Sequence, residues 1–208
     1  AFGFYALRNN TTSGNSAFGH YSLLYNSGGS NNSAFGAGAL QSNTTGDNNT
    51  AIGRNALYLN KTGASNVAVG VSALQSNTSG SANNAFGYSA LYSNTTGVGN
   101  SAFGKDSLAL NTTGLNNSAF GSYSCYDITT ARENTAIGYN TGRGITTGNY
   151  NTILGANVTG LSATIANNII IADGQGNRRI NVDSSGNVGI GTTSPNYLTD
   201  IQSITSPL

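Results

Sequence analysis

Few residues in this 208-residue chain have side chains that could do acid, base or nucleophilic chemistry. His20 is the single histidine and Cys125 the single cysteine, so one chain can assemble neither a His-based metal site nor a Ser/His/Asp triad. Asp106, Asp127 and Glu133 stand as isolated carboxylates, with Arg132 beside Glu133. A glycosidase-type pair would need two of them brought together across an interface between chains. Solvated surface and salt bridges are the simpler expectation for all three. Cys125 reads as a small buried hydrophobe rather than a reactive thiol. Gly189-Ile190-Gly191 opens no helix, so a dinucleotide loop is not expected. No catalytic residue, metal ligand or cofactor is assigned, and the chain is not expected to be an enzyme.

Tyrosine is the chemically interesting residue. Eleven occur, and Tyr21, Tyr25, Tyr58, Tyr88, Tyr92 and Tyr123 are candidates for receptor contact. An apolar ring with a polar tip suits a glycan or protein surface. Stacking of tyrosines along the molecule is the competing explanation.

What must position these side chains is a repeat. Asn, Ser, Thr and Gly supply 109 of the 208 residues, while Asp, Glu, Lys and Arg supply only 7%, against about 25% in ordinary globular chains. The formal charge of +1 is spread without runs, which leaves no electrostatic footprint for nucleic acid or an anionic membrane. No apolar run is long enough to span a bilayer, and no membrane insertion or leader is expected. A chain that opens at Ala1 rather than Met reads as part of something longer.

The tripeptide A-[FIV]-G or a close variant ends at Gly3, Gly19, Gly36, Gly53, Gly70, Gly87, Gly104, Gly121, Gly138 and Gly155, with one interval of 16 residues and eight of 17. Asn lies four places before that glycine at Asn15, Asn32, Asn49, Asn66, Asn83, Asn100, Asn117, Asn134 and Asn151. Leu lies four places after it from Leu7 to Leu108. A second Asn column follows at Asn10, Asn26, Asn43, Asn60, Asn77, Asn94 and Asn111, usually opening N-T-T-G. A period of 17 is too short for a helical repeat, and the composition disfavours helix. It fits one coil of an all-β parallel β-solenoid, a β-roll of about nine to ten coils over residues 1–160. The N-T-T-G segment makes one turn, and the A-[FI]-G glycine stands at another corner. Stacked in register, the Asn columns become hydrogen-bonded ladders. Sequons such as Asn43-Thr44-Thr45 then arise as a by-product of the repeat.

Alternation along the short strand sends the large residue of A-[FI]-G to one face and the Ala to the other. With the large residue inside, Ala17, Ala34, Ala51, Ala68, Ala85, Ala102, Ala119 and Ala136 form an outer apolar stripe. Such a stripe is an interface candidate, and the slender core of a single rod points to a parallel homotrimer or similar homo-oligomer built on it.

From residue 122 the repeat decays. Cys125 replaces the Leu, Ile128 and Ile145 replace the second Asn, and Ala131 replaces the turn glycine. Beyond Gly155 the period is expected to end. Residues 161–208 read as a small C-terminal β module, with a strand at Ile169–Ile171 and a hairpin around Asp183-Ser184-Ser185-Gly186. The tail spaces Leu198, Ile201 and Ile204 three apart.

The N-[ST]-A-[FI]-G-x-x-[AS]-L unit resembles the head repeats of trimeric autotransporter adhesins, although the repeat here is longer. That resemblance implies a left-handed parallel β-roll assembled as a trimer. The segment from Asn167 through Gly186-Asn187-Val188-Gly189-Ile190-Gly191-Thr192-Thr193-Ser194-Pro195 resembles the region preceding the self-cleaving intramolecular chaperone of phage tail fibres and tail spikes. No chaperone or cleavage motif follows Leu208, so the resemblance implies that this part was removed or lies elsewhere. The function expected from both is a structural one: a trimeric tail-fibre shaft or adhesin for host attachment, extracellular, on a virion or cell surface. Its partners would be further copies of itself and a host-surface receptor, with glycans among the candidates. A bacterial surface adhesin or extracellular filament is the alternative. An ice-binding solenoid, suggested by Thr44-Thr45, Thr95-Thr96 and Thr112-Thr113, ranks below both, since those threonines sit in turns.

Overall fold

The computed structural model describes residues 1–202, so the Ile204 of the tail pattern lies outside the described residues. The chain is an all-β parallel β-solenoid, and all its regular elements among those residues are short strands. They are β1 Ser16–Phe18, β2 Ser33–Phe35, β3 Thr50–Ile52, β4 Val67–Val69, β5 Asn84–Phe86, β6 Ser101–Phe103, β7 Ser118–Phe120, β8 Thr135–Ile137, β9 Thr152–Leu154, β10 Ile169–Ala172, β11 Arg178–Val182, β12 Val188–Ile190 and β13 Thr199–Ile201. All thirteen form one sheet in sequence order. From β1 to β10 neighbours are parallel and offset by one 17-residue coil, Ala34 opposite Ala51 and Phe86 opposite Phe103. At about 4.8 Å per coil the ten strands span roughly 43 Å.

One strand per coil carries the sheet, and the rest of the coil is a chain of turns. The corner glycine has φ between 122° and 142° from Gly3 to Gly155. A Cβ on Gly87 would stand 2.5 Å from the carbonyl oxygen of Gly104 in the next coil, so this column admits nothing larger than hydrogen. Two and four places later the chain is left-handed again. The fourth place is the Leu column, at φ 49° to 54° from Leu7 to Leu108, a conformation that costs an L-residue about 1–2 kcal/mol. Backbone bonds between coils hold it there, such as Leu57 N–H to Ala73 C=O and Leu74 N–H to Ala90 C=O, each 3.0 Å.

The interior corrects the expected sidedness of the strand. Ala17, Ala34, Ala51, Ala68, Ala85, Ala102, Ala119 and Ala136 are all fully buried within the single chain. They cannot be the surface that meets a neighbour. The roll is thin: the Leu column reaches across from the opposite wall and fills the middle, leaving room beneath the strand only for a methyl group. The large residues Phe18, Phe35, Ile52, Val69, Phe86, Phe103, Phe120, Ile137 and Leu154 therefore point outward. Strand alternation already holds the reason. Asn32 and Ala34 are two apart and share a face, so the buried ladder takes the Ala column inside with it.

Both Asn columns are buried ladders. In the first, the backbone N–H and Nδ2 of Asn66 both donate to Oδ1 of Asn49, at 3.0 and 3.1 Å, and the pattern repeats from Asn32 to Asn151. In the second, Nδ2 of Asn60 donates to Oδ1 of Asn43 at 2.8 Å. The ladders converge on the turn between them. The Gly63 carbonyl accepts from Nδ2 of Asn60 at 2.9 Å and from Nδ2 of Asn49 at 2.8 Å, which fills both its lone pairs. N-T-T-G thus ends in a glycine whose carbonyl is the shared acceptor of two columns.

Toward the C-terminus the same space is filled differently. The Leu column shrinks to Cys125 and then Gly142, while the Ala column grows to Ile153 and Ile170. A Cβ placed on Gly142 would lie 3.6 Å from Cδ1 of Ile153, so the isoleucine occupies the room the leucines leave. The period also runs further than expected. Asn168 continues the ladder through its backbone N–H, which donates to Oδ1 of Asn151 at 3.1 Å, and β10 pairs parallel with β9. Stacking in coil register passes residue 160 and ends only after Ala172. There β10–β11 and β11–β12 turn antiparallel, the second pair being the expected hairpin, and β13 returns parallel to β12.

Candidate functional site: an outward aromatic stripe and a tyrosine groove

The outward column of the sheet forms one line of apolar side chains in cross-strand register: Phe2 by a bridge to Phe18, then the β1–β9 residues named above. Ile171, Ile180, Ile190 and Ile201 continue it over β10–β13, through both antiparallel pairings. Phe18 is 47% exposed and Ile137 as much, and most of the line is similarly open. Where phenylalanines follow one another from Phe18 on, their rings lie nearly parallel. Phe86 and Phe103 have centroids 4.8 Å apart at 6°, and Phe103 and Phe120 4.9 Å apart at 8°. The flanking outward column, Ser33, Thr50, Val67, Asn84, Ser101 and their equivalents, carries no charge. Monomers seldom expose so long an apolar line.

The second surface lies across the corner glycine. Tyr58, Tyr92 and Tyr126 occupy one column in alternate coils, with Gln75 and Ala109 between them. Tyr88, Tyr92 and Tyr126 border a groove of about 450 Å³ with Ser89, Ser93 and Asp106. The Asp106 side chain is only 17% exposed, and among the described residues its single close charge is Lys105 Nζ at 3.9 Å. Of the other tyrosines singled out, Tyr123 lies under Lys105, whose ammonium is 5.3 Å from the ring centroid. Tyr21 stacks on Tyr5 at 5.7 Å and against His20, and Tyr25 stands exposed near the N-terminal end. The structure therefore joins Tyr88 and Tyr92 with Tyr126 and leaves Tyr21 and Tyr25 far along the chain.

The remaining polar groups are engaged in structure. Burial alone would raise the Asp127 carboxyl, but Arg143, with Nε 2.7 Å from Oδ2, and the Gly144 N–H at 2.9 Å hold it below the usual carboxylate value. Arg143 also covers the Tyr126 ring at 4.8 Å. Cys125 is fully buried, and desolvation first, then Asp127, pushes its thiol up to about 12. His20 is exposed against the Phe4 ring, 5.7 Å between centroids, and Glu133 is exposed with φ 57°. The first threonine of each turn spends its hydroxyl on stacking, while Thr45, Thr96 and Thr113 stand exposed. Thr44 Oγ1 donates to Lys61 C=O, Thr95 to Thr112 C=O and Thr112 to Thr129 C=O, at 2.9 to 3.0 Å. Among the described residues no three His, Cys, Asp or Glu side chains gather as a metal site, and no helix is long and apolar enough to cross a membrane. Comparison with protein-family models, curated proteins and solved structures finds no match to this chain.

Proposed function

We propose that the chain is a structural fibre protein, the shaft of a parallel homotrimeric tail fibre or adhesin that works outside the cell in host attachment. The observation that carries the reading is the continuous outward stripe from Phe2 to Ile201. A partner that covers it must be uncharged and must offer apolar groups repeating about every 4.8 Å. Another copy of the same chain, aligned in parallel, meets both demands. A closed ring of such copies hides every stripe, whereas an open arrangement leaves one exposed. The interface role thus passes from the buried alanines to Phe86, Phe103, Phe120 and their column. The run ending in Thr192-Thr193-Ser194-Pro195 lies on and after β12, beside the last residues of the stripe, which suits a segment that sets the register of several chains. Against an ice-binding surface, the hydroxyls of Thr44, Thr95 and Thr112 are committed to carbonyls of the next coil and are not free to order water, which leaves only one threonine per coil to do so.

Light scattering on the purified chain tests the reading. Three 21.1 kDa chains give about 63 kDa, and that mass should persist on dilution. Phe103→Asp combined with Phe120→Asp should lower it toward one chain, since each trimer would bury six new carboxylates. A wild-type monomer of ordinary stability would overturn the proposal.

A further inference from the structure

We propose that the groove bordered by Tyr88, Tyr92 and Tyr126 binds a neutral saccharide through stacking on the rings and hydrogen bonds to Asp106. This gives a ligand class to the attachment reading and rests on it only for its biological purpose.

Tyr92 and Tyr126 sit in the same column two coils apart, which fixes their backbones about 9.6 Å from one another. The residue between them is Ala109, nearly buried, so the slot has a low floor and two tall aromatic walls. Contact on both faces of an inserted ring needs about 3.5–4.0 Å on each side. Side chains rooted about 9.6 Å apart leave room for a single puckered six-membered ring between them. Pyranoses present patches of C–H on their faces and hydroxyls around their rim, and tyrosine matches the first with its ring and the second with its phenol.

The polar groups lie where the rim of such a sugar would. Among the described residues, the half-buried Ser89 and Ser93 hydroxyls and Asp106 carboxylate take part in no side-chain hydrogen bond and are open to a ligand. A carboxylate accepts well from two neighbouring hydroxyls, and its charge disfavours an acidic sugar. Bonds between coils hold the backbone of the site. Asp106 N–H is bonded to Tyr88 C=O at 2.9 Å, Ser93 N–H to Ala109 C=O at 2.9 Å and Leu110 N–H to Tyr126 C=O at 3.2 Å. The volume is within the usual range for small-ligand sites. The groove also stands across the corner glycine from the phenylalanine stripe, so the interface proposed above leaves it open.

The chain has no Trp, and its intrinsic emission comes from tyrosine. Titration of the full chain with maltotriose, chitotriose and a β-1,4-galactotriose, followed by tyrosine emission and by saturation-transfer NMR, should show saturable binding of at least one of them. Tyr92→Ala and Tyr126→Ala should each weaken it at least tenfold and Asp106→Asn by a smaller factor, while Tyr25→Ala leaves it unchanged. Light scattering on each variant should give the wild-type mass. Absence of binding by all three sugars, binding indifferent to Tyr92 and Tyr126, or equal binding of 3′-sialyllactose overturns the inference. Because assembly and sugar binding are read separately, a monomer that binds sugar refutes the fibre alone, and a trimer that does not refutes the groove alone.

Discussion

The coils between β2 and β7 and the segment from residue 122 to β10 share one backbone and fill it by opposite means. In the first, a leucine and two asparagine ladders occupy the interior above a floor of alanines. In the second, one ladder has given way to Ile128 and Ile145, and bulk has moved from the leucine wall to Ile153 and Ile170 beneath the strand. Stacking between coils survives the exchange because it depends on corner glycines and backbone bonds, which are common to both. The interior has to be filled and its polar groups paired; the chemistry of the filling is free. Beyond Ala172 the contrast sharpens. The turns joining β10 to β11 and β11 to β12 are each organised by an aspartate, Asp173 and Asp183, whose Oδ1 accepts backbone N–H groups two and four residues on. The middle coils use neutral amides for the same purpose.

The largest effect should come from the corner. Gly87→Ala should destabilise the protein by at least about 4 kcal/mol in thermal or denaturant unfolding, given its φ and the carbonyl against it. Gly174→Ala, in the first hairpin turn with nothing within 4 Å, should fall within about 0.5 kcal/mol. Equal effects would mean that stacking does not depend on the corner.

The ladder gives the next contrast. Asn94→Ile removes a donor from the buried Oδ1 of Asn77 and an acceptor from Nδ2 of Asn111, and should cost about 2–4 kcal/mol. Asn111 ends its column, and its own Oδ1 already lacks a partner. Asn111→Ile removes that orphan and creates one at Asn94 Oδ1, a net exchange, while extending the Ile128 and Ile145 column, and should change stability by no more than about 1 kcal/mol, as measured by denaturant midpoint.

Acid should separate the regions without mutation. The Asn177 side chain and then Arg179 lower the Asp173 carboxyl, and the Asn187 backbone and side chain lower that of Asp183. Both folded values are below the unfolded one, so their contribution is whole above about pH 4 and is lost as pH falls through the folded values. Amide NMR signals of residues 173–190 should broaden or shift first on acidification while those of the middle coils hold. Simultaneous loss would show that the ladders and hairpins melt as one unit. The smallest effect concerns Cys125, whose raised thiol should stay inert to thiol reagents at pH 8 until the chain is unfolded.

Much of this was legible in the sequence. The period, the corner glycine, the paired Asn columns and the 183–187 turn are all set by local chemistry that one residue type serves best. The sidedness of the strand was not read correctly, because Ala and Phe are both apolar and alternation alone does not say which face is inside. The i, i+2 link between each ladder asparagine and its alanine was the available signal. The left-handed leucines had none, since nothing in a leucine announces a backbone that only bonds between coils can hold. Tyr126 entered the groove unannounced because its partnership with Tyr92 depends on a two-coil spacing that is visible only once coils stack.

The fixed 17-residue offset makes the molecule a ruler. Duplicating or deleting a whole coil changes its length by about 4.8 Å and leaves corner, ladder and stripe intact. A change of any other size has to be absorbed within a turn, as in the 16-residue first coil, which still sets Phe2 against Phe18. Reach can therefore be adjusted in even steps without redesign, although chains bundled together must all be cut to the same count.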